Sequence, residues 1–347
     1  VKPNRFRNSR VRAVAVLAAV AALGLSLTAC GKSDSVHAEN GVTTLRYLGW
    51  ADQVTPPELA ESLGYFDGKV KLDWSGTTTS GPSEIQAAAT GQVDFGGAFA
   101  GAVAKLITAG APITAVINYY GSDAKSFTGY YVPDNSPIHT AADLVGKKIA
   151  VNTLGGQNEA DIHDALAKAG LSQDQIKSVQ LIALPPPNLE DAVRKGQVDV
   201  ASLNGQFQQR AVAAGGLRPV FTELDEYGGP INGGPYVFRN DVIAKNADAV
   251  RTFTTGVAKA LEWERDTPRE QVVAKMNQII TARHRPGEDT STLKYWLSVG
   301  VPAKYGVISD QDFTRWESWL RDTGAIHGKL DPSKFYTNKF NTLAQHS

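Results

Sequence analysis

The chain has 347 residues, enough for about two domains with a core in each. Its 35 basic and 35 acidic side chains balance, which leaves no electrostatic case for a nucleic-acid partner. The single cysteine, Cys30, stands near the N-terminus, so the rest of the chain has no disulfide, no thiolate metal site and no cysteine nucleophile.

Arg5, Arg7, Arg10 and Arg12 precede an apolar run from Val14 to Leu27 that is short for a membrane span. Leu27-Thr28-Ala29-Cys30-Gly31 closes it, the layout of a signal peptide. The closing residues also resemble the bacterial lipobox, which implies lipidation at Cys30 and loss of the segment before it. Residues 1–30 are therefore expected to be a lipoprotein signal peptide and 31–42 a flexible tether.

Thr43 to Leu48 reads as a strand, and Thr55-Pro56-Pro57-Glu58 as a capping box opening a helix. Val70 to Trp74 is a second strand. The hydroxyl-rich turn Thr77-Thr78-Thr79-Ser80-Gly81 leads into a helix over 83–90, with Pro82 in its first turn and Gly91 at its end. Gln92 to Phe95 reads as a short strand before Gly96-Gly97, and a further helix covers about 98–109. Ile113 to Ile117 is a strand ending in Asn118-Tyr119. Tyr130-Tyr131-Val132 is extended, Lys148 to Asn152 is a strand, and Ile162, Leu166 and Ala169 mark one face of a helix. Val198 to Leu203 runs into Asn204-Gly205 and a helix over about 205–214. Pro235 to Phe238 is extended again, and from Asn246 onward the expectation is helix, with Ser309 to Asp312 capping the one that bears Trp316 and Trp319.

One pattern recurs. Gly91-Gln92-Val93-Asp94 returns as Gly196-Gln197-Val198-Asp199, 105 positions on, each time after a strand and a helix. Thr44 to Leu48 matches Lys148 to Asn152 in the same way. A period near 100 is too long for a solenoid and reads as two similar α/β lobes. Alternating βα units imply mostly parallel sheets flanked by helices, with ligands outside the carboxyl ends of the strands. Lobe one is expected over 43–128 and 237–347, and lobe two over 129–236.

The segments EIQAAATGQVDFGGAFAG, SPIHTAADLVGKKIAVN, LPPPNLEDAVRKGQVDVASLNGQF and DPSKFYTNKFN, with the lipobox, resemble the extracytoplasmic solute-binding proteins of ABC importers, in the nitrate, taurine and alkanesulfonate branch. The resemblance implies a type II Venus-flytrap periplasmic-binding-protein fold, a monomer lipid-anchored outside the cell membrane, and delivery of solute to a membrane permease. Some relatives of this fold are enzymes, among them a desulfinase with a cysteine near the end of the first strand. Leu48-Gly49-Trp50-Ala51-Asp52 has none, so no enzyme activity is expected.

The expected ligand-binding residues are Trp50, Asp52, Thr78, Thr79, Ser80, Ala98, Phe99, Asn118, Tyr119, Gly156, Gln157, Asn204 and Tyr236. These loops carry no Arg or Lys, so backbone N–H groups and helix dipoles would hold an anion. That favours a small organic monoanion, a taurine-like sulfonate first. Nitrate, a neutral heterocycle such as a pyrimidine precursor, or an enzyme acting on a sulfinate or thiamine precursor are the alternatives. The histidines are scattered and no phosphate-loop motif occurs, so neither metal nor cofactor is expected.

Overall fold

The computed structural model describes residues 36–346, so the expected signal peptide, Cys30 and the first five residues of the expected tether lie outside the described residues. The rest of that tether is not free: His37–Glu39 is a strand paired with the chain that follows it. Eleven strands form three sheets. The first holds β1 (His37–Glu39), β2 (Val42–Trp50) and β3 (Val70–Thr78) in the order β1-β2-β3. The second holds β4 (Phe95–Gly97), β5 (Ile113–Ser122) and β11 (Ile231–Arg239) in the order β4-β11-β5. The five-stranded third sheet contains β6 (Gly129–Pro133), β7 (Lys148–Val151), β8 (Gln180–Ala183), β9 (Val200–Leu203) and β10 (Leu217–Thr222), ordered β10-β6-β9-β7-β8.

The architecture is α/β, and its sheets are mixed. The β2–β3, β7–β8 and β7–β9 pairs are parallel, as βα crossovers require, while β6, β10 and β11 run antiparallel to their neighbours. β6 and β11 are the extended segments expected at Tyr130–Val132 and Pro235–Phe238. β11 pairs with β5 from Ile231 onward, earlier than the expected return near 237.

The GQVD repeat has a physical meaning. After each helix a glycine takes the left-handed conformation, Gly91 at φ 80° and Gly196 at φ 66°. Gln92 N–H then donates to the Ala87 carbonyl, and Gln197 N–H to that of Ala192, both at 2.9 Å. Asp94 N–H donates to the Arg46 carbonyl (2.9 Å) while its carboxylate accepts Arg46 N–H (2.7 Å). Asp199 makes the same pair with Lys148, at 2.9 and 2.8 Å. The motif is a clamp that fastens a returning chain to the opening strand. It also corrects the strand alignment: Arg46, rather than Thr44, is the counterpart of Lys148.

Period-two alternation builds the second half. Tyr130, Val132, Ile149, Val151 and Val200 face Ile162 and Leu166 on one side of the five-stranded sheet. Tyr131, Ala150 and Ala201 face Leu189, Val193 and Ala211 on the other. In the first half Phe95 is the hub, stacked on Tyr47 and touching Tyr236, Phe238 and Phe253.

Two local expectations change. The short strand is Phe95–Gly97, so the glycine pair belongs to it. Gly97 is required there because a Cβ would lie 2.5 Å from the Tyr119 ring. The chain after Asn246 is not helical throughout. Ala247–Asp266 and Arg269–Arg283 are helices, but His284 at φ 48°, followed by Pro286 and Gly287, stops the run. The segment to Ser309 is irregular, with only short turns at Leu293–Tyr295 and Lys304–Gly306. The capping box at Ser309 is present, but the helix it opens ends at Thr314; Trp316 stands at the N-cap position of the next, Glu317–Asp322, which carries Trp319. Both tryptophans are buried edge-on against Phe99, as core residues.

Candidate functional site

A cavity of about 280 Å³ opens where the ends of these sheets meet. Four helices begin at residues that line it: Gly81–Thr90, Ala100–Thr108 after Phe99, Gln157–Lys168 after Gly156, and Gly205–Ala214 after Asn204. Their first N–H groups have no intrahelical acceptor, and the positive ends of the helix dipoles add to the potential there.

The two sides of the cavity differ in chemistry. Trp50, Phe99 and Tyr119 come from the first two sheets and their loops, and Asn152, Gln157, Asn158 and Asn204 from the five-stranded half. Trp50 is held by a buried acid: Glu84 accepts its indole N–H at 3.2 Å and Gly97 N–H at 2.9 Å. Burial pushes the Glu84 carboxyl up to about 8. Tyr119 stacks on Tyr236 with centroids 3.9 Å apart. Burial raises the phenol of Tyr119 well above its usual value.

The two halves are tied by hydrogen bonds around the cavity. Tyr120 Oη donates to Gln157 Oε1 (2.9 Å), and Gln157 Nε2 donates to Glu223 Oε2 (2.8 Å). Glu223 Oε1 accepts Thr128 N–H at 2.8 Å, and burial lifts its pKa to about 7. Gln206 Nε2 reaches the Asp52 carbonyl (2.8 Å) and Thr292 Oγ1 (2.9 Å). Thr153 Oγ1 donates to Ser80 Oγ at 2.9 Å.

Of the thirteen expected positions, Trp50, Ala98, Phe99, Tyr119, Gly156, Gln157 and Asn204 line the cavity. The other six do not. Asp52 turns to Asp289 N–H, Thr78 Oγ1 bonds within its own turn, and the Thr79 carbonyl accepts Asn152 Nδ2. Ser80 caps its helix at Ser83 N–H and meets Thr153. Asn118 is buried against Asp312 and the Val307 carbonyl, and Tyr236 lies in the aromatic core.

Sequence reasoning missed Glu223, Glu264, Met276, Leu293 and Trp296, all of which line the cavity. No lysine or arginine is among the lining residues, but two carboxyl groups are. Glu264 leaves a readable trace. It follows Val257 and Leu261 at i+7 and i+3, so a carboxyl stands in register with the apolar stripe of its helix. Among the described residues no group of three or more His, Cys, Asp or Glu side chains could hold a metal ion, and no helix is long and apolar enough to cross a membrane.

This fold, with a cavity between two α/β halves, is that of the two-lobed periplasmic-binding proteins. The chain belongs to the NMT1/THI5-like family, whose model matches residues 52–271. A Brucella abortus protein, named only as a binding protein, is 25% identical over 274 residues, covering 76% of this chain and 80% of its own. The periplasmic aliphatic sulphonate binding protein SsuA from Escherichia coli superimposes with a TM-score of 0.62 at 21% identity, over 84% of this chain and 91% of that one. The desulfurization enzyme DszB shares the fold at a TM-score of 0.56 and 15% identity, over 88% of this chain and 99% of its own.

Proposed function

We propose that this protein is the solute-capturing component of an ABC importer, working outside the cell membrane and tethered there by lipid at Cys30. The observation that carries the reading is the cavity on which four helix N-termini converge from both halves. Two lobes, about 43–128 with 237–347 and 129–236, close on a small organic molecule and hand it to a membrane permease. Strand membership supports this division, because every strand of the five-stranded sheet falls within 129–222.

An organic sulfonate is the first reading of the solute. Its three acceptor oxygens suit oriented backbone N–H donors, and Trp50, Phe99 and Tyr119 suit its carbon part. The carboxyl groups of Glu223 and Glu264 favour a second reading, a nitrogen heterocycle such as a pyrimidine precursor. Enzyme action on this scaffold is the competing class. A thermal-shift screen over sulfonates, nitrate and pyrimidines, with product analysis of each hit, tests all three. Ligand at 100 times Kd adds roughly 2.7 kcal/mol to stability. A raised melting temperature with ligand recovered intact supports capture, whereas turnover of the hit overturns it.

A further inference from the structure

Glu264 is the one wall group whose presence the fold does not explain. Its residue is only 6% exposed, and its Oε2 is buried without a hydrogen-bond partner. It lies in the last turn of the helix Ala247–Asp266, where the carbonyl end of the dipole disfavours a negative charge. Leaving a buried polar group unpaired is costly, and more so when it is charged.

The basic residues nearby are committed elsewhere or face solvent. Arg265, next in sequence, pairs with Glu262 and donates to the Val301 carbonyl. Arg269 donates to the carbonyls of Lys294 and Trp296. Lys125 is exposed. The other wall acid, Glu223, already has Thr128 N–H and Gln157 as partners. Glu264 and Trp296 line this cavity together and also a second one beside it, where Lys125, Arg265 and Arg269 stand; desolvation strengthens a charge pair at such a carboxyl, and an aromatic neighbour suits a cation.

We propose that Glu264 receives a nitrogen of the captured solute, so the cleft selects small organic molecules that present a cationic or N–H-donating nitrogen. This rests on the reading of the cleft as a solute pocket and narrows its substrate class. An aminosulfonate and an aminopyrimidine both qualify, the first using the helix N-termini as well. An alkanesulfonate without nitrogen leaves Glu264 unpaired and buried.

The test uses the full chain and its Glu264→Gln and Glu264→Asp variants. A thermal-shift library is divided into solutes with an amino group and shape-matched partners in which a methyl group replaces it, such as taurine with propane-1-sulfonate and 4-aminopyrimidine with 4-methylpyrimidine. Calorimetry follows on each hit. The expected result is at least a tenfold preference for the amino-bearing member of a pair. Glu264→Gln should abolish that preference and Glu264→Asp partly restore it, while both variants melt cooperatively. Hits among the solutes without an amino group alone, or a preference that Glu264→Gln leaves intact, overturn the assignment of Glu264 with the pocket reading standing. Silence of the whole library overturns the pocket reading, and the inference with it.

Discussion

Asp94 and Asp199 close the same motif and make the same two backbone hydrogen bonds, yet their surroundings differ. Asp94 is fully buried and also binds the Arg46 guanidinium, at 2.9 and 3.2 Å. Asp199 is exposed, and its backbone clamp on Lys148 stands without an ion pair. A shared local pattern thus yields a shared backbone, while burial follows from what the rest of the chain lays over it. The cleft shows the same division: similar helix N-termini reach it from both halves, but one half adds mostly aromatic rings and the other mostly amides, Gln53 and Phe207 being the exceptions.

The sharpest way to break the comparison is to delete both acids. Asp94→Ala removes a buried acceptor from the partly exposed Arg46, which keeps the Gly91 carbonyl, and should cost about 1.5–3 kcal/mol, the range for hydrogen bonds to a charged group. Asp199→Ala loses a solvent-screened acceptor and should cost about 0.5–1.5 kcal/mol. Urea denaturation of both variants checks this, and equal losses would mean that the clamp itself dominates.

Glu264 and Glu223 sharpen it next. Burial alone lifts Glu264 from its ordinary 4.5 to about 8. Because the folded value is the higher, this group's contribution is fully present below about pH 4.5, falls as pH rises through about 8, and is flat beyond. The slope is at most about 1.4 kcal/mol per pH unit. Glutamine does not titrate, so Glu264→Gln should match the parent at pH 4 and exceed it by up to a few kcal/mol at pH 8.5. Glu223 is lifted less, to about 7, because Thr128 and Gln157 bind its carboxylate. Glu223→Gln should therefore show a smaller gain or a loss. Melting curves across pH separate the two.

The glycines that end the paired helices come third. Gly91→Ala puts a Cβ 2.3 Å from Arg239 Nη1, whereas at Gly196 a Cβ meets nothing within 4 Å. Both carry the left-handed strain of about 1 kcal/mol. Only Gly91→Ala must also displace a side chain, so it should lose more in a thermal melt.

Legibility in the sequence divides along the same line. Punctuation by glycine, proline and capping residues is local, so the βα order, the GQVD pairing and the strand-end loops bearing Trp50, Phe99, Gln157 and Asn204 could be read directly. The antiparallel course of β6, β10 and β11 is a long-range property and could not. Nor could the far wall: Met276 comes from the helix Arg269–Arg283, and Leu293 and Trp296 from the irregular chain that follows the break at His284. Tyr236 and Asn118 look like strand-end site residues, but aromatic stacking and Asp312 draw them into the interior.

The smallest expected effect concerns one hydroxyl pair that joins the halves. Ser80 Oγ has two jobs, accepting Ser83 N–H at 3.3 Å as a helix cap and Thr153 Oγ1 at 2.9 Å across the cleft. Ser80→Ala removes both and should cost about 0.5–1 kcal/mol, the low end for a cap because the capping contact is long. Thr153→Val keeps shape and cap and removes the cross-cleft bond together with a longer local one to the Leu154 carbonyl (3.3 Å), both at least partly exposed and so worth little, about 0.5 kcal/mol. The double variant should then cost little more than Ser80→Ala alone, since the shared bond is lost once. Denaturant titration of the three proteins decides it. A Thr153→Val loss as large as that of Ser80→Ala would show that the bond between the halves, and not the cap, is what Ser80 contributes.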